Sequence, residues 1–470
     1  MRPSGPFEAY AGAPSTAATS GTGLATLETL GRLHRGLAES EMLVKRGGRI
    51  SEVSATHYRV RGLSAHARLG DIVEHRGRRG QCAGEIVQIN ASDVLVAPFD
   101  TTFDAGISDP VFIRGPFRVT PDASWRGRVI DALGRPVDDL GPVVGSPDNT
   151  ASTSATPSAL ARQRVAKPFR TGVRVIDIFT PLCLGQRIGV FAGSGVGKST
   201  LLAMLASAQV FDTVIIALVG ERGREVREFL EDTIGADNIR KTVTVVATSD
   251  ESAMMRRRAS STAMSVAEYF RDRGERVLLI LDSVTRFAHA MREVATGAGE
   301  PPVARGYPAS VFTDLPKLLE RAGPGGKGAG SITAIISVLV DGDDHNDPVA
   351  DSVRGILDGH IVLDRSIAEQ GRYPAVDPLA SVSRLAPRAW NEGERALVTK
   401  LKAMISRYEE TRDIRMLGAY RAGADAELDN AVRQVPVIYD ALTQTPQDGP
   451  SRDPFAELAS RLKNQEAANG

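Results

Sequence analysis

Ala192-Gly-Ser-Gly-Val-Gly-Lys-Ser-Thr200 decides the reading of this chain. It follows the apolar run Ile188-Gly-Val-Phe191 and precedes Leu201-Leu-Ala-Met-Leu205. A strand, a glycine loop and a helix in that order make a P-loop. The glycines let backbone N–H groups converge on phosphate oxygens with no Cβ in the way. Lys198 can reach the β- and γ-phosphates and Ser199 can offer its hydroxyl to Mg2+, while the helix N-terminus favours the anion. The expected cradle is therefore Ala192, Gly193, Ser194, Gly195, Val196, Gly197, Lys198, Ser199 and Thr200.

Two carboxylates downstream complete the pattern. Val277-Leu-Leu-Ile-Leu-Asp282 reads as a buried strand whose carboxylate emerges at its C-terminal end, where ligands bind in open parallel sheets. Such a run is common by itself; paired with a P-loop it marks Asp282 as a holder of the Mg2+ shell, through water. Ile215-Ile-Ala-Leu-Val-Gly-Glu221 places a second carboxylate at the end of the strand after the P-loop helix. If that strand lay beside the P-loop strand, Glu221 would sit near the γ-phosphate and could polarise an attacking water. Glu225 fits better as a helix-start acid stabilised by the dipole.

Apolar runs at 187–193, 213–220, 242–249, 276–284 and 331–340 alternate with helical patterns such as 252–272. That alternation predicts a mostly parallel sheet covered on both faces, an α/β core over residues 117–391. Before it, residues 44–116 carry short alternating runs, Tyr58–Arg61, Asp71–Glu74 and Gly84–Ile89, punctuated by glycines. They predict a small β-barrel. Residues 1–43 divide into a leader rich in small residues and a leucine stripe, Leu24, Leu27, Leu30, Leu33 and Leu37. The stripe predicts a helix that either packs on its own domain or docks a partner. Residues 151–159 read as a low-complexity surface loop. Residues 392–470 lack strand runs; Lys400 to Tyr408, Arg412 to Tyr420 and Glu427 to Leu442 predict short helices.

Composition narrows the function. At ~150 residues per domain, 470 residues suggest about three domains. Lys+Arg and Asp+Glu both number 57, so there is no basic excess for a nucleic-acid coat. Aromatics at 5% give little material for base stacking. Two cysteines, Cys82 and Cys183, make no disulfide framework and suit a reducing cytosol. No apolar run approaches the ~18 residues of a membrane span, and the first 23 residues lack the apolar core of a signal peptide.

The P-loop, Gly220-Glu-Arg222, the Asp282 strand and Pro374-Ala-Val-Asp-Pro-Leu-Ala-Ser-Val-Ser383 together resemble the catalytic subunits of rotary ATP synthases. The resemblance runs from about residue 45 to 445 and is strongest to the type III protein-export ATPases, the flagellar one in particular. Phe191–Ser199, Arg305-Gly-Tyr-Pro-Ala-Ser-Val-Phe312, Val353-Arg-Gly-Ile-Leu-Asp-Gly-His360 and Tyr420-Arg-Ala-Gly-Ala-Asp425 carry it. Ser199 and the Leu417–Tyr420 region stand where synthase β subunits have a threonine and an acidic stretch. Two departures are the Ser/Thr-rich 151–159 in place of a proline-rich approach and Asp364 in place of a serine.

The resemblance implies a RecA-like core and MgATP hydrolysis by a homo-hexameric ring that serves flagellar protein export. It implies catalytic roles for Lys198, Glu221 and Arg222, and Arg384 as an arginine finger reaching the neighbouring subunit's site. Tyr373 would pack on the adenine, against the alternative of simple core packing. The implied partners are a stalk protein, a stator-like regulator, the export gate, and export chaperones with their cargo. The implied setting is the cytoplasm, peripheral to the inner membrane, with no nucleic acid bound. A synthase β-like subunit, a virulence-export ATPase, an RNA helicase of the termination-factor type and a non-catalytic ring subunit stay open. Asp341, Asp343, Asp344, Asp347 and Asp351 look like a calcium cluster, but their spacing does not fit a 12-residue Ca2+ loop.

Overall fold

The computed structural model describes residues 45–78, 80–145, 162–165, 167–340 and 347–469. The leucine stripe at 24–37, the 151–159 stretch and Asp341, Asp343 and Asp344 lie outside them.

Six strands form the first element group: β1 (Gly47–Val53), β2 (Tyr58–Arg61), β3 (Asp71–Gly77), β4 (Gly80–Ile89), β5 (Asp93–Pro98) and β6 (Pro110–Pro116). They close into a barrel in the order β1-β2-β5-β4-β3-β6. Alternate side chains point inward, as a pleated strand requires. Ile50, Val60, Val73, Ile86, Val94, Val96 and Val111 fill the interior. The outward residues Ala97 and Phe99 join the neighbouring core instead. Arg258 pairs with the barrel's buried Glu85, and Ser252 Oγ donates to Phe99 O at 2.6 Å.

The remaining strands are β7 (Val129–Asp131), β8 (Pro168–Phe169), β9 (Leu182–Cys183), β10 (Arg187–Ala192), β11 (Thr213–Val219), β12 (Thr242–Ala247), β13 (Arg276–Asp282), β14 (Pro302–Ala304), β15 (Tyr307–Pro308), β16 (Gly323–Pro324), β17 (Ser331–Leu339), β18 (Gly359–Leu363) and β19 (Val382–Ser383). The main sheet runs β19-β18-β10-β17-β13-β11-β12-β7, with β16 beside β17. All neighbours are parallel except β19 on β18 and β16 on β17. The pairs β8–β9 and β14–β15 stand apart from it.

Both faces of this sheet are buried, which explains why its strands read as continuous apolar runs. Along β11, Ile215, Ala217 and Val219 join one core with the helices Ala253–Asp272 and Val284–Gly297. Val214, Ile216 and Leu218 join the other, with the P-loop helix Lys198–Ala206 and the C-terminal helices. Strands β7 and β18 escaped the sequence reading: β7 has three residues and β18 alternates in burial.

The C-terminal helices are Glu392–Glu410, Arg412–Met416, Ala426–Leu442 and Pro454–Asn469. The first begins well before Lys400 because Asn391 and Glu394 form a reciprocal cap. The second stops at Met416 rather than Tyr420, and the fourth was not expected from sequence. Asp364 caps the helix Arg365–Glu369, accepting from Ile367 N at 3.1 Å. Aspartate and serine are both strong N-caps, so this departure from the family pattern preserves the local geometry. Asp347 likewise caps Pro348–Ile356, with Asp351 in its first turn. Among the described residues no cluster of His, Cys, Asp or Glu is arranged to hold a metal ion.

Candidate active site

β10 ends at Ala192 and the helix begins at Lys198, with Gly197 as its N-cap. Gly195 and Gly197 have φ of 78° and 87°, in the left-handed region that favours glycine. A Cβ on Gly197 would also lie 3.2 Å from the Tyr373 ring. Gly197→Ala is therefore expected to lower stability by about 1–2 kcal/mol from backbone strain alone. It should weaken nucleotide binding as well, because the loop must shift. A thermal melt and a nucleotide titration check this; an unchanged melt together with unchanged affinity would contradict the observed loop.

Ser199 and Thr200 are exposed at the first turn of the helix. The Lys198 ammonium lies between two carboxylates. It pairs with Asp282, buried at the end of β13, and lies 3.9 Å from Glu221 Oε1. Arg286 Nε lies 3.7 Å from the same oxygen. The Glu221 side chain is only 15% exposed. Burial first, then the nearby Asp282 charge, push its carboxyl above the usual range; Lys198 and Arg286 pull it back.

The route that brings Glu221 here differs from the expected one. β11 is not beside β10; β17 and β13 lie between them. At ~4.8 Å per strand that separation is roughly 14 Å. The gap closes because Leu218 pairs with Asp282, so Glu221 overhangs the end of β13. Gly220, at φ 71°, makes the bend, and a Cβ there would lie 2.7 Å from Arg286 Cδ.

Arg222 is not brought to this group. Its guanidinium pairs with Glu225 at 2.8 Å and its side chain is 67% exposed. Arg286 takes the place beside Glu221 instead. The sequence signal for it was its position in the first turn of the helix that follows Asp282, where a helical side chain can reach back over the strand end.

Tyr373 lines a cleft of about 280 Å³ with Gly197, Thr200, Met204, Pro374 and Thr445. The far wall, Gln444–Gln447, was not foreseen. No motif marks it; Gln444 fastens it by accepting from Arg174 N at 3.0 Å and donating to Gly172 O at 2.9 Å. Tyr373 thus stands between the P-loop and the C-terminal helices.

Arg384 lies elsewhere. Ser383 pairs with Gly359, at the start of β18, whereas the P-loop strand's Ala192 pairs with Leu363, at its end. Arg384 is therefore at the opposite edge of the sheet, roughly 13 Å along the strand from its own P-loop at ~3.3 Å per residue. Among the described residues its exposed guanidinium reaches Arg354 O, at 3.5 Å.

A phosphate cradle at the carboxyl edge of such a sheet, with acids and cations converging on it, is the working end of a nucleoside-triphosphate hydrolase. The family model for the ATP synthase alpha/beta nucleotide-binding domain matches residues 172–383, and that for the T3SS EscN ATPase C-terminal domain matches 390–464. A flagellum-specific ATP synthase of Rhizobium meliloti is 58% identical over 450 residues, 95% of this chain and 96% of its own. A type 3 secretion system ATPase of Xanthomonas euvesicatoria is 42% identical over 405 residues, 85% of this chain and 90% of its own. The assembled ATPase EscN of the enteropathogenic E. coli type III secretion system superposes with a TM-score of 0.82 at 38% identity, over 89% of this chain and all of that one. EscN with its central stalk EscO gives 0.79 at 38% identity, over 88% of this chain.

The chain belongs to the ATP synthase alpha/beta family, within its type III protein-export ATPases of the flagellum-specific kind. It binds ATP and hydrolyses it. No helix among the described residues is long and apolar enough to cross a membrane.

Proposed function

We propose that this ATPase works as a hexameric ring at the base of the flagellum, where MgATP hydrolysis releases export chaperones and unfolds cargo at the export gate. The flagellum-specific names of its relatives support the setting, and EscN, described as assembled and in complex with a central stalk, supports a ring with a stalk partner. The ring would sit in the cytoplasm, peripheral to the inner membrane, with a stator-like regulator.

One observation carries the chemistry: the Lys198 ammonium held between Asp282 and Glu221 at the mouth of the P-loop. Lys198 and the loop amides bind the β- and γ-phosphates. Glu221 orients the attacking water and takes its proton, and Arg286 holds that carboxylate in place. Tyr373 flanks the adenine. The donor set fits Mg2+: an exposed Ser199 hydroxyl and the Asp282 carboxylate are hard oxygen donors, and Mg2+ is commonly held by one or two of these plus phosphate and water. The ion would supply charge neutralisation on the phosphates.

Lys198→Ala tests this reading. It should weaken ATP binding and slow phosphate release about 10²–10³-fold, the scale for one electrostatic stabiliser. Unchanged affinity together with unchanged turnover would exclude the phosphate cradle at 192–200.

A further inference from the structure

The strand that carries the P-loop also has an anchor at its other end. Gln186 precedes β10 and is fully buried, at 0% exposure. Its carboxamide is bonded on both sides. Oε1 accepts from Cys183 N at 2.9 Å, while Nε2 donates to Ser383 Oγ at 3.0 Å and to Asp358 O at 3.3 Å. Both acceptors flank Arg384: Ser383 precedes it, and Asp358 O also accepts from Arg384 N at 2.9 Å. Asp358 is itself tied to the head of β10, its carboxylate accepting from Arg187 N at 3.0 Å.

We infer that Gln186 is a positioning residue for Arg384, acting through the backbone that carries it. The inference rests on the reading of Arg384 as a finger that acts on the neighbouring subunit. β19 is a two-residue strand at the sheet edge, paired on one side only. Few ladder bonds fix it, so the Gln186 amide supplies a large share of the restraint at Ser383. The Arg384 side chain has little holding it in its own subunit, which leaves it free to reach outward. Its reach is then set by where its Cα stands. Misplacement of a reacting group by ~1 Å can slow a reaction about 10²-fold. None of these bonds is made to the loop that holds the nucleotide, which begins six residues away along β10.

Gln186→Met keeps the length and apolar stem of the side chain and removes both the Nε2 donor and the Oε1 acceptor. Turnover is expected to fall about 10–100-fold, with ATP affinity and KM near those of the parent. The decisive readout is subunit mixing with Glu221→Gln. In a head-to-tail ring, about one interface in four of an equal mixture joins an intact Glu221 from the Gln186→Met chain to a properly held Arg384 from its neighbour. Activity should return there. A Gln186 that merely stabilised its own subunit's core would give no such return, because every intact Glu221 then belongs to a damaged chain.

Arg384→Ala mixed with Glu221→Gln runs alongside. If that mixture recovers activity and the Gln186→Met mixture does not, the positioning role is wrong while the finger stands. Full turnover of Gln186→Met overturns it equally. If the Arg384→Ala mixture stays dead despite confirmed subunit exchange, the finger reading fails and the role of Gln186 fails with it. Should Gln186→Met not fold, Ser383→Ala removes one acceptor at the edge of the sheet and leaves Gln186 in place. A loss of about two- to tenfold is expected, with the same recovery on mixing. Parent-like turnover of that variant would count against the inference.

Discussion

Arg384→Ala subunits are expected to assemble and bind MgATP yet turn over about 10³–10⁵-fold more slowly than the parent, the range known for arginine fingers. The geometry gives the reason for expecting action in trans. Arg384 stands at the sheet edge opposite its own P-loop, next to the start of β18, and its guanidinium faces solvent. No rotamer of an arginine spans the length of β18 to reach the same subunit's γ-phosphate. A cation that arrives only from a neighbour makes turnover depend on assembly. Specific activity of the parent should therefore rise with protein concentration as rings form. A dilution series with constant specific activity, or an Arg384→Ala protein within a factor of two of the parent, would overturn the assignment.

Glu221→Gln should retain MgATP and lose about 10²–10⁴-fold in turnover, the scale of one general base. Fold loss is not the cause expected. The folded-state pKa of Glu221 is raised, chiefly by burial, so its ionised form is disfavoured in the folded protein above the ordinary carboxylate range. The neutral amide removes that cost, and the melting temperature at pH 7 should not fall. The same shift fixes the sign of the pH dependence. Only ionised Glu221 accepts the proton, so the parent's turnover falls as pH drops through the raised value, and the acid limb lies above the ordinary carboxylate range. A Glu221→Gln protein with near-parent turnover would remove Glu221 from the mechanism. A parent acid limb at or below the ordinary carboxylate value would contradict the burial argument.

Arg222 and Arg286 show how far the sequence reaches into this site. Both follow a strand-end acid closely; Arg222 is the N-cap of one helix and Arg286 lies in the first turn of another. The resemblance implied a role for Arg222, directly after Glu221. The structure turns it onto Glu225 and brings Arg286 to Glu221 across the sheet. Which cation meets which carboxylate depends on strand order, and strand order leaves no mark on periodicity. The same blindness hid Gln444, whose amide joins the segment after the helix Ala426–Leu442 to Gly172 far up the chain.

What the sequence determined by itself is local. The left-handed torsions of Gly195 and Gly197, the apolar runs that became β10, β11, β12, β13 and β17, the barrel strands and the place of Asp282 at a strand end all follow from contiguous residues. Short-range sterics and burial on one or two faces dictate them. The tertiary structure alone decided that β17 and β13 separate β10 from β11, that Glu221 nonetheless meets Lys198, and that Arg384 stands at the far edge of its own sheet. These follow from how crossovers bury both faces of one sheet, a choice made between residues distant in the chain, where packing rather than neighbouring sequence settles which strands become partners.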